Sequence, residues 1–256
     1  MRRLLLLLLA LWPLALAAAP ATQSADKIAT RIWYAADGQG GARLLWFLPP
    51  ERWGHGWRLE DDQGNVLADR VAPTEGFDPG QEGGAIALGL RVMGDWDYAK
   101  TAGLAVELKD LPSRRAGFVL RRLDARGQPD GARLTTAAID LGHAARPPRP
   151  PKELSGEATP QGVKLFWRPQ PGRLPVLAYT VERDDGRATT RLHEQALFLG
   201  NTWAQPSPAF VDAKAPSEGE ASYLVRAVDV LGRASPAANV RVFVPDFTAL
   251  LPPRAP

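Results

Sequence analysis

Three histidines, a scatter of carboxylates and eight tryptophans are the residues of this 256-residue chain whose types could do chemistry. His55, His143 and His193 stand in separate segments, at no spacing that makes a metal site. Neither a Gly-x-Ser-x-Gly elbow nor a phosphate loop occurs. Asp61-Asp62 precede Gly64, and Asp184-Asp185 precede Gly186. Aspartate in such places accepts hydrogen bonds from the backbone of a turn, which is a structural use. Glu75, Asp78 and Glu82, with Asp95 and Asp97 further on, could surround a calcium ion. Calcium loops alternate their acids at tighter spacing, so a solvated loop with helix caps is the better reading. A hydrolase built on this acidic stretch would need two carboxyl groups facing each other across a cleft. With no cysteine there is no disulfide and no thiol chemistry. The expectation is a chain with no catalytic residue, no metal and no cofactor, hence not an enzyme.

The elements that would position these residues are written twice. Gly117-Phe-Val-Leu-Arg-Arg-Leu-Asp-Ala-Arg-Gly127 matches Ser222-Tyr-Leu-Val-Arg-Ala-Val-Asp-Val-Leu-Gly232. Leu44-Leu-Trp46 matches Leu165-Phe-Trp167, and Trp57-Arg-Leu-Glu-Asp61 with Gly64 matches Tyr179-Thr-Val-Glu-Arg183 with Gly186. The pairs keep one order, which is the mark of a duplicated module. The runs are short, alternate apolar with polar residues, and end at Gly, Pro or Asp. That pattern belongs to antiparallel β-sandwiches. Between the copies lies Ala144-Ala-Arg-Pro-Pro-Arg-Pro-Pro-Lys152. Proline cannot extend a sheet ladder and favours an extended, semi-rigid conformation, so this run reads as a linker and spacer.

Residues 152–246 resemble a fibronectin type III domain. The resemblance rests on the prolines leading in, on Leu165-Phe-Trp167 with its core tryptophan, and on Tyr179-Thr-Val181. It continues through Phe210-Val-Asp212, Tyr223-Leu-Val-Arg-Ala-Val-Asp229 and the turn Gly232-Arg-Ala-Ser-Pro236. It implies a seven-strand Greek-key sandwich with Trp167 and Tyr223 in or beside the core. The first copy, 26–143, departs from the pattern: Phe118 stands for Tyr223, and Arg122 for Ala227. Trp46 to Phe118 spans 72 residues and Trp167 to Tyr223 spans 56, so the first copy holds 72 − 56 = 16 more. The surplus falls at about 75–103 and reads as two short helices. Gly83–Met93 would form the first and Asp95–Gly103 the second, with Asp95 or Asp97 as N-cap and Gly103 as a left-handed stop. The expected fold is all-β: two tandem immunoglobulin-like (fibronectin type III) sandwiches, the first with a short helical insertion.

At the start, Met1-Arg-Arg and the apolar run Leu4–Ala19, broken by Pro13 and ending in small residues, form a secretory signal peptide over 1–21. The run is shorter than the ~20 residues that span a bilayer, so no membrane insertion is expected after cleavage. Residues 247–256 form a tail. The Leu-, Ala- and Arg-heavy style suggests a bacterial origin. The net charge of +3 includes Arg2 and Arg3; without them the balance is 29 basic to 28 acidic. Residues 26–145 carry 15 basic and 17 acidic side chains and 152–246 carry 11 of each, so no basic face for nucleic acid is expected.

The tryptophans divide by position. Trp46 and Trp167 belong to the cores; Trp33 and Trp57 lie on strands, as core or rim. Trp53 and His55 share the turn Pro49–Gly56, Trp96 and Tyr98 lie in the insertion, and Trp203 follows Gly200-Asn201. A loop aromatic can receive a sugar face or a protein pocket, or can cover the edge of its own module. For Trp96 and Tyr98, packing of a helix on the sandwich is the stronger reading; for Trp53 both stay open. The functional expectation is an exported, non-enzymatic interaction or scaffold protein of the cell envelope, secreted or periplasmic, with association at the outer surface also open. A protein partner would bind through the insertion and loops, with Trp53, His55, Trp96, Tyr98 and Trp203 as contacts. The alternative is a carbohydrate-binding accessory protein that uses the loop tryptophans.

Overall fold

The computed structural model describes residues 31–48, 52–82, 84–193, 197–198 and 209–247. In the first copy the chain forms β1 (Arg31–Ala36), β2 (Ala42–Phe47), β3 (Trp57–Asp61), β4 (Val66–Val71), α1 (Ala85–Gly94) and α2 (Trp96–Thr101). It continues with β5 (Ala105–Leu108), β6 (Arg115–Ala116), β7 (Phe118–Leu123), β8 (Pro129–Thr135) and β9 (Ile139–Asp140). The second copy forms β10 (Lys152–Thr159), β11 (Gly162–Arg168), β12 (Val176–Asp184), β13 (Thr189–Arg191) and β14 (Leu197–Phe198). β15 (Ala209–Asp212), β16 (Gly219–Asp229) and β17 (Ala238–Val244) complete it.

Both copies have the same strand order. The first pairs β1-β2-β5 and β4-β3-β7-β8; the second pairs β10-β11-β15 and β13-β12-β16-β17, with β14 also on β12. These are tandem fibronectin type III-like sandwiches, all antiparallel. The duplication holds residue by residue. Asp61 pairs with Phe118 as Arg183 pairs with Tyr223, and Trp57 pairs with Arg122 as Tyr179 pairs with Ala227. Each core is centred on one aromatic pair. Trp46 meets Trp57 at 6.2 Å between ring centroids, and Trp167 meets Tyr179 at 5.3 Å. β16 shows the underlying alternation: Ala221, Tyr223, Val225 and Ala227 point inward between half-buried neighbours.

Where the copies differ, the partners differ together. The Tyr223 hydroxyl donates to Asp212 Oδ2 at 3.0 Å, and Arg183 Nη1 donates to the same oxygen at 2.6 Å. Burial, with the Asp212 charge beside it, pushes the Tyr223 hydroxyl well above its usual range. In the first copy Leu108 occupies the register position of Asp212, and Phe118 that of Tyr223. Replacing both ends of a buried hydrogen bond with apolar groups leaves nothing unsatisfied, so the loss is nearly neutral. Asp61, in the place of Arg183, turns to its own loop and accepts from Gln63 N, Asn65 N and Asn65 Nδ2. The Asn65 side chain is the main reason that the Asp61 carboxyl sits below the usual carboxylate range, against the opposing effect of burial.

β2 breaks the alternation. Leu44, Leu45 and Trp46 are all buried. Leu44 and Trp46 face the sandwich interior, so Leu45 and Phe47 face outward and need a cover. The insertion supplies it: a side chain at Gly89 of α1 would meet the Phe47 ring, and Leu88, Val92 and Ala99 are buried in the same cluster. α1 starts two residues later and ends one residue later than the expected Gly83–Met93, while α2 is bounded by the expected caps. Asp95 caps α2 by accepting from Asp97 N and Tyr98 N. Gly103, at φ 68°, ends it with Leu104 N donating to Ala99 O and Gly103 N to Lys100 O.

Emptying either core site should be costly. Trp46→Ala and Trp167→Ala are each expected to lose about 3–5 kcal/mol in urea unfolding. A loss under ~1 kcal/mol at either position would mean that the matched cores do not carry the fold.

Candidate functional site

The residues singled out by sequence fall into two groups around the insertion. Trp53 is only 6% exposed. Its Nε1 donates to Leu48 O at 2.8 Å, and its ring lies 6.0 Å from Phe77. Phe77 lies 5.5 Å from Tyr98, and the Arg91 guanidinium covers Tyr98 at 4.3 Å. Trp53, Phe77, Tyr98 and Arg91 thus form one stack joining the β2–β3 turn to both helices. Phe77 links Trp53 to Tyr98, and its apolar side chain among Glu75, Gly76, Asp78 and Pro79 is the sequence signal for it. The stack corrects the reading of Trp53 as an open platform, because the side chain is buried against Phe77 and its indole N–H is taken by Leu48 O. His55 is exposed; its backbone N donates to Leu123 O and its carbonyl accepts from Arg70. Trp203 lies outside the described residues.

Trp96 belongs to the second group, where the two modules meet. The turn after β16 carries Val230 and Leu231, 1% and 0% exposed, and both join the hydrophobic cluster of module one. Leu174 and Leu177 of module two pack on that cluster too. Gly232 lies on Trp96: a Cβ there would come within 2.5 Å of the Trp96 Cβ, at a backbone φ of 70° that already favours glycine. Arg43, on the outward face of β2, stacks its guanidinium 5.2 Å from the Trp96 ring and donates to Leu231 O at 3.1 Å. Arg233 pairs with Asp229 at 2.8 Å and donates to Ala145 O and Arg146 O in the connecting run. The expectation that the proline-rich run holds the modules apart is therefore corrected. They share a buried cluster, and the run is tied down by Arg233 at its start.

The acidic stretch has structural uses. Asp78 accepts from Gly80 N, Asp95 caps α2, and Asp97 pairs with Lys100 at 2.7 Å. Asp184 accepts from Gly186 N and Asp185 from Arg187 N and Ala188 N, as in backbone-stabilised turns. Among the described residues no group of three His, Asp or Glu converges to hold a metal ion.

No protein-family model matches the chain, and no curated protein does. Solved structures match weakly. A structure of a myokine aligns at 20% identity over 38% of this chain and 98% of its own, with a TM-score of 0.29. The FN1–FN3 domains of chicken CNTN1 align at 13% identity over 84% of this chain and 64% of theirs, with a TM-score of 0.30. The chicken interferon gamma receptor alpha chain aligns at 10% identity over 84% and 97%, with a TM-score of 0.29. The fold assignment stands on strand order and register.

The junction gives a direct prediction. Gly232→Val puts a branched side chain into Trp96 and into a left-handed backbone, so the modules should part. Small-angle scattering should show a larger radius of gyration than the unaltered chain, while far-UV circular dichroism keeps its β signature. An unchanged radius would show that the turn does not hold the modules together.

Proposed function

We propose that the chain is an exported, non-enzymatic interaction or scaffold protein of the bacterial cell envelope, and that a protein partner docks on the outer face of α1. The observation that carries this reading is the state of Ile86 and Leu90. They are 82% and 44% exposed and lie one turn apart on the helix, with exposed Ala85 and Ala87 flanking Ile86. The opposite face of the same helix, Leu88 and Val92, is buried. A helix pinned on its inner side presents its outer residues in a fixed geometry, which lowers the ordering cost of binding. Apolar anchors in a fixed place are what partner pockets take up. The basic, apolar, small-residue-ended start of the chain supports export, and the absence of cysteine suits a fold that needs no disulfides.

Ile86→Asp and Leu90→Asp test the reading. Burying such a side chain is worth about 1.5–3 kcal/mol, so each change should weaken the complex by roughly tenfold or more. Folding stability should move by less than ~0.5 kcal/mol, as for most surface changes. A photo-crosslinking residue at 86 in the full chain, in cells, should give one dominant protein adduct that Leu90→Asp removes. Position 69, on exposed Asp69 of β4, should not give it. No adduct at 86, or the same adduct at 69, would contradict the reading.

A further inference from the structure

A cleft of about 510 Å³ opens where the connecting run leaves module one. Its apolar lining is buried Ala35 and Ala36 of β1, Ala138 and Ile139 beside and in β9, and Ala144 and Ala145 of the run. Its polar rim is Tyr34, Asp140, His143, Arg146 and, from the second module, Arg173. Pockets of this size at a junction between modules, with an apolar lining and a few convergent polar groups, are the usual form of a small-molecule site.

The charges on the rim are unequal. Asp140 is answered within the protein: its Oδ2 lies 2.7 Å from His143 Nδ1, its Oδ1 accepts from Gly142 N at 2.8 Å, and Arg114 Nε lies 3.8 Å away. These neighbours, the Gly142 amide first, hold the Asp140 carboxyl below its usual range. Arg146 and Arg173 have no carboxylate partner among the described residues. Both are exposed and line a cleft of mixed apolar and polar character. The walls are fixed as well. Ala145 N donates to Ala36 O at 3.0 Å, and the carbonyls of Ala145 and Arg146 accept from Arg233. Gly38 packs so closely that a Cβ there would meet Ala144.

We infer that this cleft binds a small organic acid, a carboxylate carried on a short apolar body. The guanidinium groups of Arg146 and Arg173 donate to the carboxylate, for which their planar fork is shaped. The alanine and isoleucine lining takes the apolar part. A bare inorganic anion would gain nothing from that lining. A doubly charged one would also be repelled more strongly by Asp140 on the same rim.

Sodium hexanoate tests this on the ¹⁵N-labelled chain lacking residues 1–21. It should cause saturable amide shifts confined to 34–36, 138–146 and the neighbourhood of 173, with a Kd of roughly 1 mM or below for a ligand of that size. Hexylammonium and inorganic phosphate should cause none there. Arg173→Gln should weaken hexanoate binding about tenfold, the usual loss on removing a charge-assisted hydrogen bond, and adding Arg146→Gln should abolish it. Absence of saturable shifts, or shifts that survive in the double variant, would overturn the site. Phosphate shifts equal to those of hexanoate would overturn the organic-acid assignment. The α1 crosslinking result bears on neither outcome, so the two proposals fail separately.

Discussion

The contact of Gly232 with Trp96 is the constraint on which the rest of the molecule depends. Glycine lets the turn after β16 come down on the indole, and that approach sends Val230 and Leu231 into module one. Domains joined in one chain move relative to one another unless their interface is large and apolar. Here the second module contributes two fully buried aliphatic side chains, worth about 1.5–3 kcal/mol each, to the hydrophobic cluster of the first. Arg43 closes the contact by donating to Leu231 O across the junction, and Arg233 by donating to Ala145 O in the connecting run. The helices α1 and α2 then have two tasks. They cover the outward face of β2, where Leu45 and Phe47 would otherwise meet water, and they form the seat for module two.

The same turn has a task in one module that its copy lacks. Asp124 accepts from Arg126 N and Gln128 N, and Asp229 accepts from Leu231 N and Arg233 N, so both modules build this turn alike. Only the tip differs. Ala125-Arg126 in module one is exposed; Val230-Leu231 in module two is buried. The hydrogen bonds of the framework stay, and the docking surface is written in the two residues between them.

Much of this was legible in the sequence, and the gaps have physical reasons. The duplicated motifs matched the two copies to the residue, because side-chain alternation leaves a strand only one way to face its core. Asp95 and Gly103 marked the bounds of α2 through capping chemistry. The burial of Trp53 was not legible, because it depends on Leu48 O and on Phe77, which approach only in the folded chain. The docking of the modules was missed although two signals were present. One was the run Leu44-Leu45-Trp46-Phe47, which does not alternate and so requires cover on both faces. The other was an apolar pair at the tip of a turn that is polar in the other copy. The prolines between the modules argued for separation; they fix the path of the backbone and say nothing about what packs across it.

The central claim is that the two sandwiches form one cooperative body through the turn at 229–233. Differential scanning calorimetry of the chain lacking residues 1–21 tests it most directly. The account predicts one transition whose calorimetric and van't Hoff enthalpies agree. It also predicts that replacing Val230 and Leu231 together by aspartate splits that transition in two. Two separate transitions in the unaltered chain would contradict it.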